Sequence, residues 1–353
     1  MRKLDAVLGA LAALLLATHA EAQSVEEFYR GKTINMIAST GPGDGIDTDA
    51  RLVGRFIGNH IPGKPLIVNK NMPGAGHVVA ANYLANEAPK DGTVMLVTLG
   101  AIVTHQLLDG RGVRYDVNKF RWVGSIDTGN QTFYVWHTSV KSIEEARKRE
   151  VLMGGTGSGS YTILYPTLMN NLAGTKFKII AGYPNANEIH LAMQRGEIEG
   201  RAGNHYSSLK AVNSDWIRDK QINMLFQIGL TRDAEMPDVP LMTDFALNEE
   251  NKKIMLVFEG ETAIGQTVLT SPGVPDDRLA ALRRAFDETM TDPDFMAEAK
   301  KAKLDVQPAP GAKVQDIVAK MTATPPDLVA KAQKAMGEDG LVGAGSGGKP
   351  PAK

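Results

Sequence analysis

Apolar residues fall into short runs, each closed by a glycine-rich turn and followed by residues at helical spacing. The first run, Thr33 to Ala38, ends at Ser39-Thr40-Gly41-Pro42-Gly43-Asp44-Gly45, after which Ala50, Val53, Phe56 and Ile57 recur with a helical period. This predicts a strand, a turn and a helix over 47–61. Leu66 to Val68 predicts a second strand, and Asn71-Met72-Pro73-Gly74-Ala75-Gly76 a second glycine-rich turn. A helix through Val79, Tyr83 and Leu84 and a buried strand over Thr93 to Leu99 complete a βαβαβ rhythm. That rhythm predicts a parallel sheet with helices on both faces.

Two further strands, 121–126 and 133–136, flank a predicted crossing into a second unit. There the grammar repeats: a helix capped by Ser142 with Glu145, the run Val151-Leu152-Met153, the turn Gly154-Gly155-Thr156-Gly157-Ser158-Gly159-Ser160, and a helix carrying Leu164, Leu168 and Leu172. Strands over 177–180 and 222–228, a short helix over 187–195 and a Pro-punctuated loop over 233–244 follow. The apolar stretch 263–270 reads as the return to the first unit, before helices over 276–290 and 314–321. The expectation is an α/β chain of two lobes, with 23–124 and 261–336 in the first and 125–260 in the second. A chain that crosses twice between lobes is built to close. From Gly337 apolar periodicity ends, predicting a flexible tail over 337–353.

The N-terminus changes the compartment. Arg2 and Lys3 precede an apolar segment over 6–17, and Ala20-Glu21-Ala22 supplies a cleavage signal, so 1–22 is expected to be a signal peptide and the protein periplasmic. A length of 353 residues fits two domains, and a net charge of −1 with scattered Lys and Arg argues against nucleic acid. The absence of cysteine removes disulfides, thiol catalysis and cysteine-ligated metals. The seven histidines show no ligand spacing, so neither metal nor cofactor is expected.

A strand, a Gly-rich turn and a helix leave the helix's first N–H groups aimed at the turn, where the helix dipole also favours an anion. Two such turns point to a cleft closed from both sides. Rival readings fare worse. Gly157 stands where a nucleophile elbow needs serine. Ile46 occupies the third-glycine position of a dinucleotide fingerprint, and Gly31-Lys32-Thr33 precedes a strand instead of following one. Asn204 sits where a second-lobe strand should meet the cleft. Trp122, Trp136 and Trp216 are expected in packing, and His105, His190 and His205 on the surface or packed.

The ordered set of motifs resembles the extracytoplasmic solute-binding proteins of tripartite tricarboxylate transporters, the Bug-type family. Its marks are Pro42-Gly43-Asp44-Gly45-Ile46-Asp47 with Ala50-Arg51, Asn71 to Gly76, Ala88-Pro89-Lys90-Asp91-Gly92-Thr93, Gly155 to Ser160, Gly182-Tyr183-Pro184, Leu191 to Glu197, and Arg232 with Pro237-Asp238-Val239-Pro240. The resemblance covers 28–336. It implies a type II periplasmic-binding-protein fold, two α/β lobes joined by a double crossover hinge, that holds a small carboxylate on backbone N–H groups and ordered waters. By motif position the ligand-binding residues are Ser39, Thr40, Gly41, Gly43, Asp44, Gly45 and Asp47 in the first loop and Gly157, Ser158, Gly159, Ser160 and Tyr161 in the second, joined by Asn204. The implied partners are a small carboxylate and membrane transporter subunits, with the protein itself a monomer and no enzyme. An exported enzyme using Asp44 or Asp47 as a base, and a ligand-presenting sensor, are the alternatives. One departure stands out: the family usually has three glycines where this chain has Gly43-Asp44-Gly45. Asp44 is left pointing outward, pairing with Arg51 or Arg55, or meeting an amino group on the ligand.

Overall fold

The structure, a computed structural model, describes residues 23–156, 160–302, 304 and 306–341. The expected signal peptide, 1–22, lies outside them. Helix α1 (Val25–Tyr29) leads into β1 (Thr33–Ala38), α2 (Gly45–His60), β2 (Leu66–Asn71), α3 (Val78–Asn86), β3 (Val94–Leu99) and α4 (Ala101–Leu108). Strand β4 (Arg121–Asp127) precedes β5 (Gln131–Trp136), α5 (Ile143–Lys148), β6 (Val151–Gly155), α6 (Tyr161–Ala173), β7 (Phe177–Ala181) and α7 (Ala186–Gln194). Next come β8 (Gly200–His205), α8 (Tyr206–Val212), α9 (Ser214–Arg218), β9 (Ile222–Ile228), α10 (Glu249–Ile264) and β10 (Gln266–Thr270). The chain ends through α11 (Asp276–Thr291), α12 (Pro293–Ala302), β11 (Ala309–Pro310), α13 (Gly311–Thr322) and α14 (Pro326–Leu341).

The strands form two sheets. One has six strands in the order β11-β4-β10-β3-β1-β2, the other five in the order β7-β6-β8-β5-β9. β1 pairs in parallel with β2 and β3, as the βαβαβ rhythm predicts, whereas β10 runs antiparallel between β3 and β4. The chain leaves the six-stranded sheet after β4 and re-enters it at β10, so two segments, 128–130 and α10, cross between the sheets. Apolar side chains pack on both faces of the six-stranded sheet: Met36, Val53 and Phe286 on one, Leu96, Trp122 and Val318 on the other. Trp216 is buried and meets Trp136 edge-on at 5.0 Å, which is the packing role expected of them.

Helix α10 is one of the elements that the apolar pattern missed, with α4, α9 and α12. Its stripe of Ile254, Met255, Val257 and Phe258 is interrupted by Glu259, Gly260 and Glu261, all buried, so it does not read as an apolar face. The tail also differs from expectation: helix α14 runs to Leu341, with a break at Gly337 (φ 71°), and packs on α6 through Ala332 and Ala335. Residues 342–353 lie outside the described residues.

Glu259 gives α10 a pH signature. It is fully buried; Oε1 accepts from the Thr243 N–H at 3.1 Å, and Oε2 has no partner among the described residues. Burial pushes its acid from 4.5 up to about 8. The unfolded chain therefore ionises this group before the folded one does, and stability falls as pH rises through that window. Glu259→Gln should melt level with the wild type near pH 4.5 and above it at pH 8. A gap in melting temperature that does not change with pH would rule this out.

Candidate functional site

The first glycine-rich loop links β1 to α2 and is held from beneath by Asp47. Asp47 is 3% exposed; Oδ2 accepts from the Gly43 N–H (2.8 Å) and Arg51 Nε (2.9 Å), and Oδ1 from Asn71 Nδ2 (2.7 Å). Asn71 Nδ2 also donates to the Thr40 carbonyl (2.9 Å), and Arg51 Nη2 donates to Asn71 Oδ1 (3.0 Å). One carboxylate thus ties the loop to the end of β2. The Arg51 hydrogen bond leads in holding its acid at about 2, helped by Gly43 and Asn71 and opposed by burial. Both oxygens of Asp47 accept hydrogen bonds, so it shapes the loop through its side chain.

Asp44, left open by the sequence, caps α2: its Oδ1 accepts from the Ile46 N–H at 3.2 Å. Arg51 goes to Asp47, and Arg55 is 3.4 Å from Glu298, so neither pairs with Asp44. Ser39 is buried and its hydroxyl lies 2.9 Å from His77 Nδ1, which joins this loop to the Asn71–Gly76 turn. His77, which the sequence reading overlooked, stands at φ 77°, and burial pushes its imidazole down toward the neutral form. Thr40 Oγ1 is buried without a partner among the described residues. A side chain added at Gly41, Gly43 or Gly45 would meet nothing within 4 Å. Those three glycines border open space, and Gly43 at φ 83° also needs glycine for its turn.

In the second loop Gly157, Ser158 and Gly159 lie outside the described residues. Its two ends converge on Thr162, another residue the motif did not mark. Thr162 Oγ1 accepts from the Thr156 N–H (3.0 Å) and is 2.6 Å from the Ser160 hydroxyl. The Tyr161 ring stacks on Tyr165 with centroids 5.4 Å apart, and its hydroxyl donates to Glu261 of α10. Tyr161 is therefore turned toward the crossing helix by its side chain, leaving only its backbone for the loop. Gly203 in β8 makes this possible, because a Cβ there would lie 2.4 Å from Tyr161 Cβ.

Asn204 joins the same edge through Nδ2, which donates to the Tyr134 hydroxyl at 3.4 Å, while its carbonyl accepts from Thr132 (2.8 Å). Behind it, the Tyr134 hydroxyl lies 2.8 Å from His190 Nε2, which accepts from Arg201 Nη1 at 3.0 Å. Burial, with the Arg201 charge second, pushes His190 down to about 4 and keeps it neutral. His205 ends β8 with Nδ1 3.6 Å from Asp127 Oδ2, beside the first crossing. No group of three or more His, Cys, Asp or Glu able to hold a metal occurs among the described residues, and no helix there is long and apolar enough to cross a membrane.

A family model described as the tripartite tricarboxylate transporter family receptor, TctC, matches residues 57–333. No curated protein matches the chain. Among solved structures, a TctC solute-binding protein from Polaromonas, without ligand, is similar at TM-score 0.67 and 16% identity, over 86% of this chain and 99% of that one. A Rhodopseudomonas palustris protein with bound malate is similar at TM-score 0.55 and 17% identity, over 86% and 99%. Another R. palustris protein, with adipate, is similar at TM-score 0.58 and 18% identity, over 86% and 97%. At these identities the likeness is one of fold, and the fold is that of type II periplasmic binding proteins.

Proposed function

From the premise that this chain belongs to the family of tripartite tricarboxylate transporter receptors, we propose that it is a periplasmic solute-binding receptor. It captures a small carboxylate between its two lobes and hands it to the membrane subunits of a transporter. The six-stranded sheet with 23–124 and 261–336 forms the first lobe, and 125–260 the second. The first 22 residues are a leader removed on export, and the receptor works as a monomer. The loops Ser39 to Gly45 and Gly157 to Tyr161 hold the anion between them, with Asn204 as a polar side contact. The first does so through the N–H groups of Thr40, Gly41 and Gly45, since those of Ser39, Gly43 and Asp44 donate to Val97, Asp47 and Gly41. Closure follows because only the closed form offers both loops to one ligand.

The observation that carries this reading is the first loop. Its backbone is clamped from behind by a buried carboxylate, while three glycines leave its front open to an approaching group. The enzyme alternative has less support, since both oxygens of Asp47 are already hydrogen-bonded and Asp44 is engaged as a cap. Malate and adipate, the compounds seen with two similar structures, are the first probes. Calorimetry is expected to give saturable one-to-one binding of a carboxylate, with the solute recovered unchanged. Absence of binding across a carboxylate library, or conversion of the solute, would overturn the reading.

A further inference from the structure

We propose that a cationic groove at the far end of the six-stranded sheet is a second binding site, for a small molecule carrying several acidic oxygens, phosphoryl or carboxylate. Such a site is separate from the interlobe cleft and does not depend on what the cleft binds. The groove, of about 900 Å³, lies where β4 begins, between α11 and Gln315 of α13. Arg121 opens β4 and pairs in register with Thr270, the last residue of β10. The other ends of these two strands, Asp127 and Gln266, adjoin the two crossings between the sheets. Six residue steps along β4 put about 20 Å of strand between the groove and the crossings.

One wall comes from the helical period of α11. Asp276, Leu279, Ala280, Arg283 and Arg284 share one face of that helix, with Leu279 buried beneath. From Asp276 to Arg284 the wall runs about 12 Å at the helical rise per residue. That is longer than one phosphate or carboxylate group, and it suits charges spread along a molecule. The volume is that of a small-molecule site. At the end where α11 starts, Pro275 supplies no side-chain cap, so the positive end of the helix dipole adds to the attraction for an anion.

Four cations line the groove, Lys119, Arg121, Arg283 and Arg284, against one acid, Asp276. A chain of net charge −1 has no general excess of cations to account for this gathering. Asp276 pairs with Arg121 Nη2, but its side chain is 93% exposed, and a pair so exposed contributes little. Arg121 Nε has no partner among the described residues. Arg283 Nε donates to the Trp122 carbonyl at 2.9 Å, which fixes the guanidinium at the groove. Burial first, and the Arg121 charge second, push Arg283 down, so the two guanidiniums repel one another. Arg284 is exposed and makes no ion pair among the described residues. Of the acids nearby, Asp116 lies 3.6 Å from Lys119, Asp316 pairs with Lys320 at 2.7 Å, and Asp287 acts on Arg283 from one turn along α11. An anion in the groove would relieve the repulsion, and guanidinium forks match carboxylate and phosphate oxygens two at a time.

Tripolyphosphate and citrate are the probes, with orthophosphate as the control. Calorimetry should give one site for tripolyphosphate, at least about tenfold tighter than orthophosphate and weaker as salt is raised. Hydrogen exchange should slow over 276–284 and stay unchanged over 39–47. Arg121→Gln and Arg284→Gln should each weaken tripolyphosphate by about tenfold. Their melting temperatures should stay close to that of the wild type, because the one ion pair they lose, Arg121 with Asp276, is exposed. Tighter citrate with the same protection would assign the groove to carboxylates, and tighter tripolyphosphate to phosphoryl compounds; the site stands in both cases. The proposal falls if neither probe binds, or if protection appears over 39–47 instead. It falls as well if both variants bind like the wild type, which would mark a diffuse attraction to the surface. Malate has no part in these measurements, so failure of the groove and failure of the carboxylate receptor are read separately.

Discussion

Gly203→Ala is expected to destabilise the protein by about 3 kcal/mol and to weaken carboxylate binding at least about tenfold. Two penalties meet at this position. Gly203 has φ 72°, a conformation that costs an L-residue about 1–2 kcal/mol. Its new Cβ would also stand 2.4 Å from Tyr161 Cβ and 3.2 Å from the Tyr161 carbonyl carbon. Atoms do not approach that closely, so the first turn of α6 must shift, and overpacking of this kind costs about 1–3 kcal/mol. Because Tyr161 follows the second loop directly, the shift reaches the proposed ligand contacts. Gly196 separates the two terms: it has the same φ of 72° and nothing within 4 Å of an added Cβ. Gly196→Ala should therefore lower the melting temperature slightly and leave affinity unchanged. Equal behaviour of the two variants in calorimetry would show that contact with Tyr161 plays no part.

Asp47→Ala is the second large effect, with an expected loss of about 2–3 kcal/mol and a similar tenfold or greater fall in affinity (about tenfold as the lower bound). The change strands the Gly43 N–H and removes the acceptor from Arg51 Nε, while Asn71 Nδ2 keeps only the Thr40 carbonyl as its acceptor. The loop then loses its clamp, and its N–H groups are no longer aimed in advance of binding. Asp47 also has a testable acid signature. Its pKa is lowered, so its contribution is complete above the unfolded value of 3.8 and is lost as pH falls toward about 2. The melting gap between wild type and Asp47→Asn should stay level above pH 4 and close below it. A gap unchanged down to pH 2 would assign the stabilisation to shape and not to charge.

The fold was legible where local chemistry repeats. The alternation of apolar run, glycine turn and helical period marked β1, α2, β3, β6 and α6, because those segments bury a face whose period survives in the sequence. Helix α10 was not legible, since its buried stretch includes Glu259, Gly260 and Glu261, which pattern reading places in water. Of the candidate site, Ser39 to Asp47 come together on one loop, and Tyr161 and Asn204 lie beside each other through Gly203. The role of each residue was less visible than its place. Asp47 shapes the loop from beneath, and Asp44 caps a helix through an N–H only two residues along the chain. His77, Thr162, Thr104 and Glu261 carried no motif, and their partners lie far off in sequence: Thr104 and Glu261 are 157 residues apart.

The sequence by itself determined that this is an α/β chain of two units, in which two glycine-rich turns each lead into a helix. Glycine at a turn and apolar period along a helix act within one or two turns of the chain, so they are written in neighbouring residues. Only the tertiary structure decided which carboxylates face inward and what state they are in. Asp47 is held ionised by an arginine and an N–H group, whereas Glu259 is pushed toward its neutral form by burial, although both are buried acids on helices. That difference is set by desolvation and by donors brought from distant strands and helices, and neither quantity exists until the chain has folded.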